Sequence, residues 1–215
     1  MVNVLDKVQP KNKTQLKCLI EYAFNHNIYD LNFIDTSKIT DMSNLFMNCE
    51  YDIDVSNWNV SNVTNMGCTF YKCSMFTGKG LENWDVSNVT NMSDMFYYCK
   101  KFDCDLSDWN VSNVTNTAGM FYFCKNFDCD LSCWNVSNVT DMDHMFYYCY
   151  YFDSDLSNWN VSNVKYMSYM FTVCQNFKGK GLENWDVSKA EDIKYMFAGC
   201  DKMTIPNWYK LYHKK

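Results

Sequence analysis

Cysteine and aspartate are the residues of this chain best equipped for chemistry, and both recur at fixed intervals. Seven of the twelve cysteines, Cys49, Cys73, Cys99, Cys124, Cys149, Cys174 and Cys200, follow one another at 24 to 26 residues. Cys104 and Cys129 alternate with aspartates, and Cys18, Cys68 and Cys133 fall outside both series. Thiols in such number raise disulfides, metal ligation or plain burial. A zinc site wants closely spaced ligand pairs, which a 25-residue interval does not supply, and the chain has only three histidines. The seven recurrent cysteines each stand three residues after a phenylalanine, where a small apolar group is wanted and a free thiol serves. Buried, reduced thiols with no metal and no cofactor are therefore expected. A reducing, intracellular setting follows from them, with the cell surface as the alternative.

The aspartates form a second column. In Phe102-Asp103-Cys104-Asp105-Leu106 acidic and apolar residues alternate, which predicts a strand with its acids outward. One period later stand Asp128 and Asp130, and after them Asp153 and Asp155. Strands stacked about 4.8 Å apart would line these carboxylates up as a like-charged stripe. A solvated face, a divalent ion or a basic protein partner would each account for it, and a basic partner or a divalent ion is the expectation adopted. General acid–base catalysis is not expected. The same residues on every unit give no pocket with distinct acid and base environments, and no phosphate-binding, nucleophile-elbow or zinc-protease motif occurs. No catalytic residue is assigned.

A third set is aromatic. Tyr97, Tyr98, Tyr122, Tyr147 and Tyr148 directly follow a phenylalanine expected in the core. Tyrosine suits interfaces because one end is apolar and the other wet, so these are the second candidate partner-binding set; they could equally cover seams between units. Asn-x-Ser/Thr triplets such as Asn59-Val60-Ser61 and Asn113-Val114-Thr115 are explained by corner residues bonding the turning backbone, without sugar.

All of these residues must be positioned by one repeat. Trp58, Trp84, Trp109, Trp134, Trp159, Trp185 and Trp208 are 26, 25, 25, 25, 26 and 23 residues apart, the same period as the cysteines. After the alternating segment come a polar turn and a valine pair, Val111 and Val114; Met92, Met95, Phe96 and Cys99 then show helical spacing. One such unit cannot bury its own apolar face, whereas stacked copies can. The expected fold is a leucine-rich-repeat-like repeat solenoid of about eight 25-residue rungs, made of short parallel strands plus helical turns. Residues 1–26 would form an N-terminal capping helix, with Thr14 as its N-cap. Residues 27–208 would be the solenoid and 209–215 a basic C-terminal tail. The GKGLENW segments at Gly78 and Gly179 suggest bulges.

The segments Trp109 to Phe121, Trp134 to Cys149 and Trp159 to Cys174, each preceded by an aspartate–leucine–serine strand, resemble the BspA-like leucine-rich repeats of the mycoplasma-type lipoprotein subtype. IDTSKITDMSNLF at Ile34 to Phe46 is similar to the start of such arrays. The resemblance spans about residues 12–208. It implies a non-enzymatic protein-binding or structural solenoid, or alternatively an adhesin-like surface module for host protein or carbohydrate, and it supplies no catalytic residues. A net charge of −6 argues against nucleic-acid binding. No apolar run reaches the roughly 18 residues of a membrane span. No basic, apolar and small-residue leader opens the sequence. Oligomeric state is not legible at this level.

Overall fold

The computed structural model describes residues 7–212. Residues 1–6 of the expected N-terminal cap and 213–215 of the basic tail lie outside the described residues.

Each rung is a chain of tight turns whose corners are set by short polar side chains. Asp105 Oδ1 accepts the Ser107 N–H at 3.0 Å, Asn110 Oδ1 the Ser112 N–H at 3.2 Å, and Asn116 Oδ1 the Ala118 N–H at 2.9 Å. Asp and Asn favour such turns because their side chains reach the backbone two residues on. Three corners divide the rung into an aspartate–leucine–serine side, a valine side and a methionine–phenylalanine–tyrosine side. Parallel bridges tie the rungs in one column through Asp41, Asn65, Asn91, Asn116, Asp141, Tyr166 and Asp192.

The third side shows how a rung meets its neighbour. Met95 N–H donates to Met92 O, Tyr97 N–H to Asp94 O and Cys99 N–H to Phe96 O, closing successive turns. The residues between point their N–H groups outward. Met92, Asp94, Phe96 and Tyr98 donate to the carbonyls of Asn116, Ala118, Met120 and Tyr122 in the next rung. This requires a left-handed backbone at Asp94 (φ 53°) and Tyr98 (φ 63°), and the equivalent residues of the other rungs share it.

The expected solenoid of short parallel strands plus helical turns is therefore corrected on both counts. Among the described residues there is no sheet, only isolated parallel bridges, and the only α-helices are α1 (Lys13–Asn25) and α2 (Asn207–Tyr212). Side chains intercept the groups that a sheet would pair: Cys129 Sγ takes the Leu106 N–H at 3.1 Å, and Ser154 Oγ takes that of Leu131 at 2.9 Å. The 3, 1, 3 apolar spacing belongs to alternating right- and left-handed turns, which bring Met92, Met95, Phe96 and Cys99 inward as a helix would. The glycine segments are not bulges either. Gly80 and Gly181, both at φ 88°, start 3-10 turns at Leu81–Asn83 and Leu182–Asn184. A Cβ at Gly80 would lie 2.2 Å from Ser56 Cβ, so only glycine fits there.

The core is a continuous aromatic stack. Phe70, Phe96, Phe121, Phe146 and Phe171 follow one another at 5.6–5.7 Å between ring centroids. Phe102, Phe127 and Phe152 pack against this stack at 4.1 Å. The tryptophans from Trp58 to Trp185 are buried, Trp208 is half-buried, and each keeps its polar atom satisfied across the rung boundary. Trp109 Nε1 donates to Leu81 O, Trp134 to Leu106 O and Trp159 to Leu131 O, all at 2.9 Å. α1 covers the first rung with Leu16, Ile20 and Ala23. Its cap is Asn12, which accepts the Gln15 N–H, rather than Thr14.

Two outcomes test this packing. Met145 is fully buried, so Met145→Ala should lower unfolding free energy by about 2–5 kcal/mol in denaturant titration. Val173 is β-branched yet left-handed, at φ 61°, where the equivalent residue of the first rung is Asn48. Val173→Asn should raise stability by about 1 kcal/mol; an equal or larger loss would contradict the backbone strain assigned there.

Candidate interaction surface

The acidic residues occupy two positions with different duties. Asp105, Asp130 and Asp155 are corner residues, each accepting a serine N–H two residues on at 2.9–3.0 Å. Those backbone bonds are the first cause of the lowered pKa of Asp105 and Asp130. Asp155 falls to about 2, chiefly through its bond from the Lys180 ammonium. Asp103, Asp128 and Asp153 stand two residues earlier. Asp153 Oδ1 accepts the Lys178 N–H at 2.9 Å, and Asp153 also pairs with the Lys178 ammonium. Burial and the neighbouring Asp153 and Asp103 raise the pKa of Asp128, the sign of carboxylates crowded one rung apart. The stripe is thus real but neutralised at one end by the lysines of a glycine rung; Asp103 and Asp128 take no ammonium among the described residues.

The tyrosines form two ladders on the third side. Tyr71, Tyr97, Tyr122 and Tyr147 stack at 4.6, 4.3 and 4.6 Å. Beside them run Tyr98, Phe123 and Tyr148, at 4.7 and 5.1 Å. All are half-buried, with ring faces turned along the stack against one another. What they offer a partner is therefore ring edges and hydroxyls. The second ladder sits on left-handed backbone at Tyr98, Phe123 and Tyr148 (φ 63°, 61° and 59°). Sequence reasoning missed Phe123, although its position one period from Tyr98 and Tyr148 marks it. It also missed Lys72, Lys100 and Lys125, whose ammonium groups lie 5.2, 4.6 and 4.7 Å from the centroids of Tyr71, Tyr98 and Phe123.

The thiols are structural donors. Cys99, Cys124 and Cys149 Sγ each donate to the carbonyl of a phenylalanine one rung back, at 3.0 Å. No disulfide joins any of the twelve cysteines. Burial pushes Cys73, Cys104 and Cys129 up to about 12, so none of them is a ready nucleophile.

The corner column has one break. Tyr166 stands where the other rungs have Asp or Asn and cannot receive the Ser168 N–H; Asp143, one rung back, accepts it at 2.6 Å. Burial lifts Asp143 to about 6. Asp141 and Asp192 add to the rise, and the adjacent His144 is lowered by its own burial.

What the geometry defines is a stack of turn-built repeats carrying an aromatic ridge beside an acidic column. The chain belongs to the family described as Mycoplasma protein of unknown function, DUF285, whose model matches residues 14–131 and 104–208. Comparison with curated proteins gives no match. Among solved structures it is similar, at 15% identity and a TM-score of 0.35, to a leucine rich cell surface protein from Faecalibacterium prausnitzii, over 65% of this chain and 42% of that one. A TLR13–ssRNA13 complex matches at 11% identity and a TM-score of 0.31, over 91% of this chain and 41% of that one. The chain spans less than half of either, and likeness at that level does not assign its fold. No helix among the described residues is long and apolar enough to cross a membrane.

The Asp143 substitution for a missing corner has a pH signature. A carboxyl whose folded pKa is raised above its usual 3.8 to about 6 holds its proton more tightly when folded. It therefore favours the folded state at low pH, and that contribution is lost as pH rises from about 4 through 6. Asp143→Asn keeps an oxygen for the Ser168 N–H and removes the titration. The melting temperature of the variant relative to wild type should rise between pH 4 and pH 7, reaching about 1 kcal/mol of added stability after solvent screening at a half-buried site. A difference that stays flat across that range would refute the assignment.

Proposed function

We propose that this protein is a non-enzymatic, protein-binding repeat module whose working surface is the aromatic ridge. The observation that carries this is the strained second ladder. Its positions are filled by Asn48 in the first rung and Gly199 in the last, residues that accept a left-handed backbone readily, and by Lys72 and Val173 on either side of the aromatic run. The middle rungs instead hold Tyr98, Phe123 and Tyr148, each at a cost of about 1–2 kcal/mol, although the core is already closed beneath them by Cys99, Cys124 and Cys149. Folding alone would favour asparagine or glycine there, so the aromatic edges are retained for contact. Tyrosine edges with hydroxyls suit a protein surface, where rigid side chains bind at small entropic cost. The resemblance of the repeat unit to BspA-like sequences accords with a binding role, and we infer that subtype from the motif alone. The acidic column, where a basic partner was expected, is less suited to be the primary surface because its corner aspartates are already spent on the backbone.

The test uses the same strain. Tyr98→Asn combined with Tyr148→Asn should melt no lower than wild type, because asparagine relaxes the backbone. Partners recovered by proximity crosslinking with the wild type in cells of the source should at the same time be lost, by ~tenfold or more. A variant that is destabilised yet still recovers every partner would show the ladder to be structural and overturn the proposal.

A further inference from the structure

The first tyrosine ladder borders a notch. Ala118 and Gly119 stand where the rung before carries Ser93 and Asp94 and the rung after carries Asp143 and His144, so one rung recedes between two that do not. The missing side chains leave a cavity of about 350 Å³, floored by Ala118 and Gly119 and edged by Tyr97 and Tyr122. Its walls belong to rungs two rises apart, about 10 Å at about 4.8 Å each. Gly119 has a second duty. A Cβ there would lie 2.1 Å from Asp94 Oδ1, so only glycine lets that carboxylate lie across the floor.

Asp94 differs from the chain's other aspartates. Among the described residues it is the one half-buried aspartate whose carboxylate takes neither a hydrogen bond nor an ammonium. Every other half-buried aspartate accepts at least one N–H. Burial raises the pKa of Asp94, and Asp141 adds to the rise, as expected of a charge drawn from water without compensation. On the facing wall Asp143 spends Oδ1 on the Ser168 N–H and keeps its second oxygen. His144 stacks on Tyr169 at 4.8 Å, and its ring nitrogens make no hydrogen bond among the described residues. Burial lowers its pKa, so the imidazole is neutral and one nitrogen remains an acceptor. Acceptors therefore stand on both walls, and no cation lines the cavity.

We infer that this notch receives the guanidinium of an arginine side chain carried by the partner of the ridge, held between Asp94 on one wall and Asp143 with His144 on the other.

Charge selects a cation, and the placing of the acceptors selects a planar one. An ammonium is a compact point donor, whereas a guanidinium fans five N–H groups in one plane and reaches acceptors on opposite sides at once. It is also the more weakly hydrated of the two, so it loses less on entering a half-buried site. The notch breaks an otherwise periodic ridge at one place and would fix the register of whatever lies along it. The inference rests on the reading of the ridge as a protein-binding surface for the source of the arginine, but the chemistry of the notch does not.

Titration of the whole chain with N-acetyl-arginine amide, followed by NMR of its three imidazoles at pH ~7.5, tests the site without any partner. The His144 signal, assigned by its disappearance in His144→Asn, should move saturably with a midpoint on the order of 1 mM while that of His26 stays. N-acetyl-lysine amide should need ~tenfold more. Asp94→Asn should weaken the arginine amide by ~tenfold or more without lowering the melting temperature, since no hydrogen bond is lost. Ala118→Lys supplies a cation from the chain itself, at the position that Lys194 holds in the last rung. It should abolish the titration, melt no lower than wild type, and lose in cells the partners that Tyr98→Asn with Tyr148→Asn loses. A tyrosine variant that keeps its partners while the amide still titrates His144 would sink the ridge reading and leave the site standing. No saturable shift, an equal response to lysine amide or to calcium, or full binding by Asp94→Asn overturns the inference. So does Ala118→Lys if it keeps every partner that the tyrosine variant loses.

Discussion

Each rung leaves backbone groups that it cannot satisfy by itself, and the fold is the solution to that constraint. In a helix the bonds run within the segment and in a sheet along a ladder; this chain does neither over most of its length. Its turns satisfy half of the N–H groups of the third side internally and export the other half to the next rung, as Asp94 does to Ala118 and Tyr98 to Tyr122. On the other two sides side chains cross the boundary. Asn113 Nδ2 donates to Ser87 O at 2.7 Å, and Thr115 donates through both N–H and Oγ1 to Thr90 O. Buried polar groups left unpaired are costly, so the tryptophan, cysteine, asparagine and threonine columns are one requirement met by four chemistries.

The period was legible because this requirement acts once per rung. Trp109 must reach Leu81 O and Trp134 must reach Leu106 O, so the two stand 25 residues apart. The hand of the backbone was harder to read. Met92, Met95, Phe96 and Cys99 have the spacing of a helical turn, and alternating left- and right-handed turns produce the same inward pattern. A signal was nevertheless present down the columns: Asn48 and Gly199 share a position with Tyr98, and Gly119 shares one with Asp94, marking left-handed sites. The strand expectation failed for a different reason. The alternation at Phe102 to Leu106 does set the direction of the side chains, with Phe102, Cys104 and Leu106 buried. Direction alone does not make a ladder, and Cys129 Sγ and Ser154 Oγ occupy the donors that a neighbouring strand would need.

Of the candidate surface, residue types were legible and their duties were not. Asp105 and Asp103 look alike in an alternating segment, yet one closes a corner and the other does not. The Asp-x-Ser pattern separated them in principle, since Ser107, Ser132 and Ser157 follow the corner aspartates at two residues. Nothing comparable announced Lys100 or Lys125.

Repetition also shapes what such a molecule can recognise. A repeat that satisfies its backbone in the same way on every rung presents the same groups at the same rise, which suits extended or periodic partners and disfavours a single enclosed pocket. Specificity must then come from rungs that break the pattern. Here the breaks are concentrated: among the described residues lysines answer the acidic column only beside Gly78 and Gly179, aromatic residues occupy the middle of the second ladder, and Asp143 stands in for a lost corner at Tyr166. Two of these departures themselves bridge rungs, as Lys178 does to Asp153 and Ser168 to Asp143, whereas the second ladder strains the backbone it sits on. The departures, more than the consensus, are therefore where selection for a partner would leave its mark.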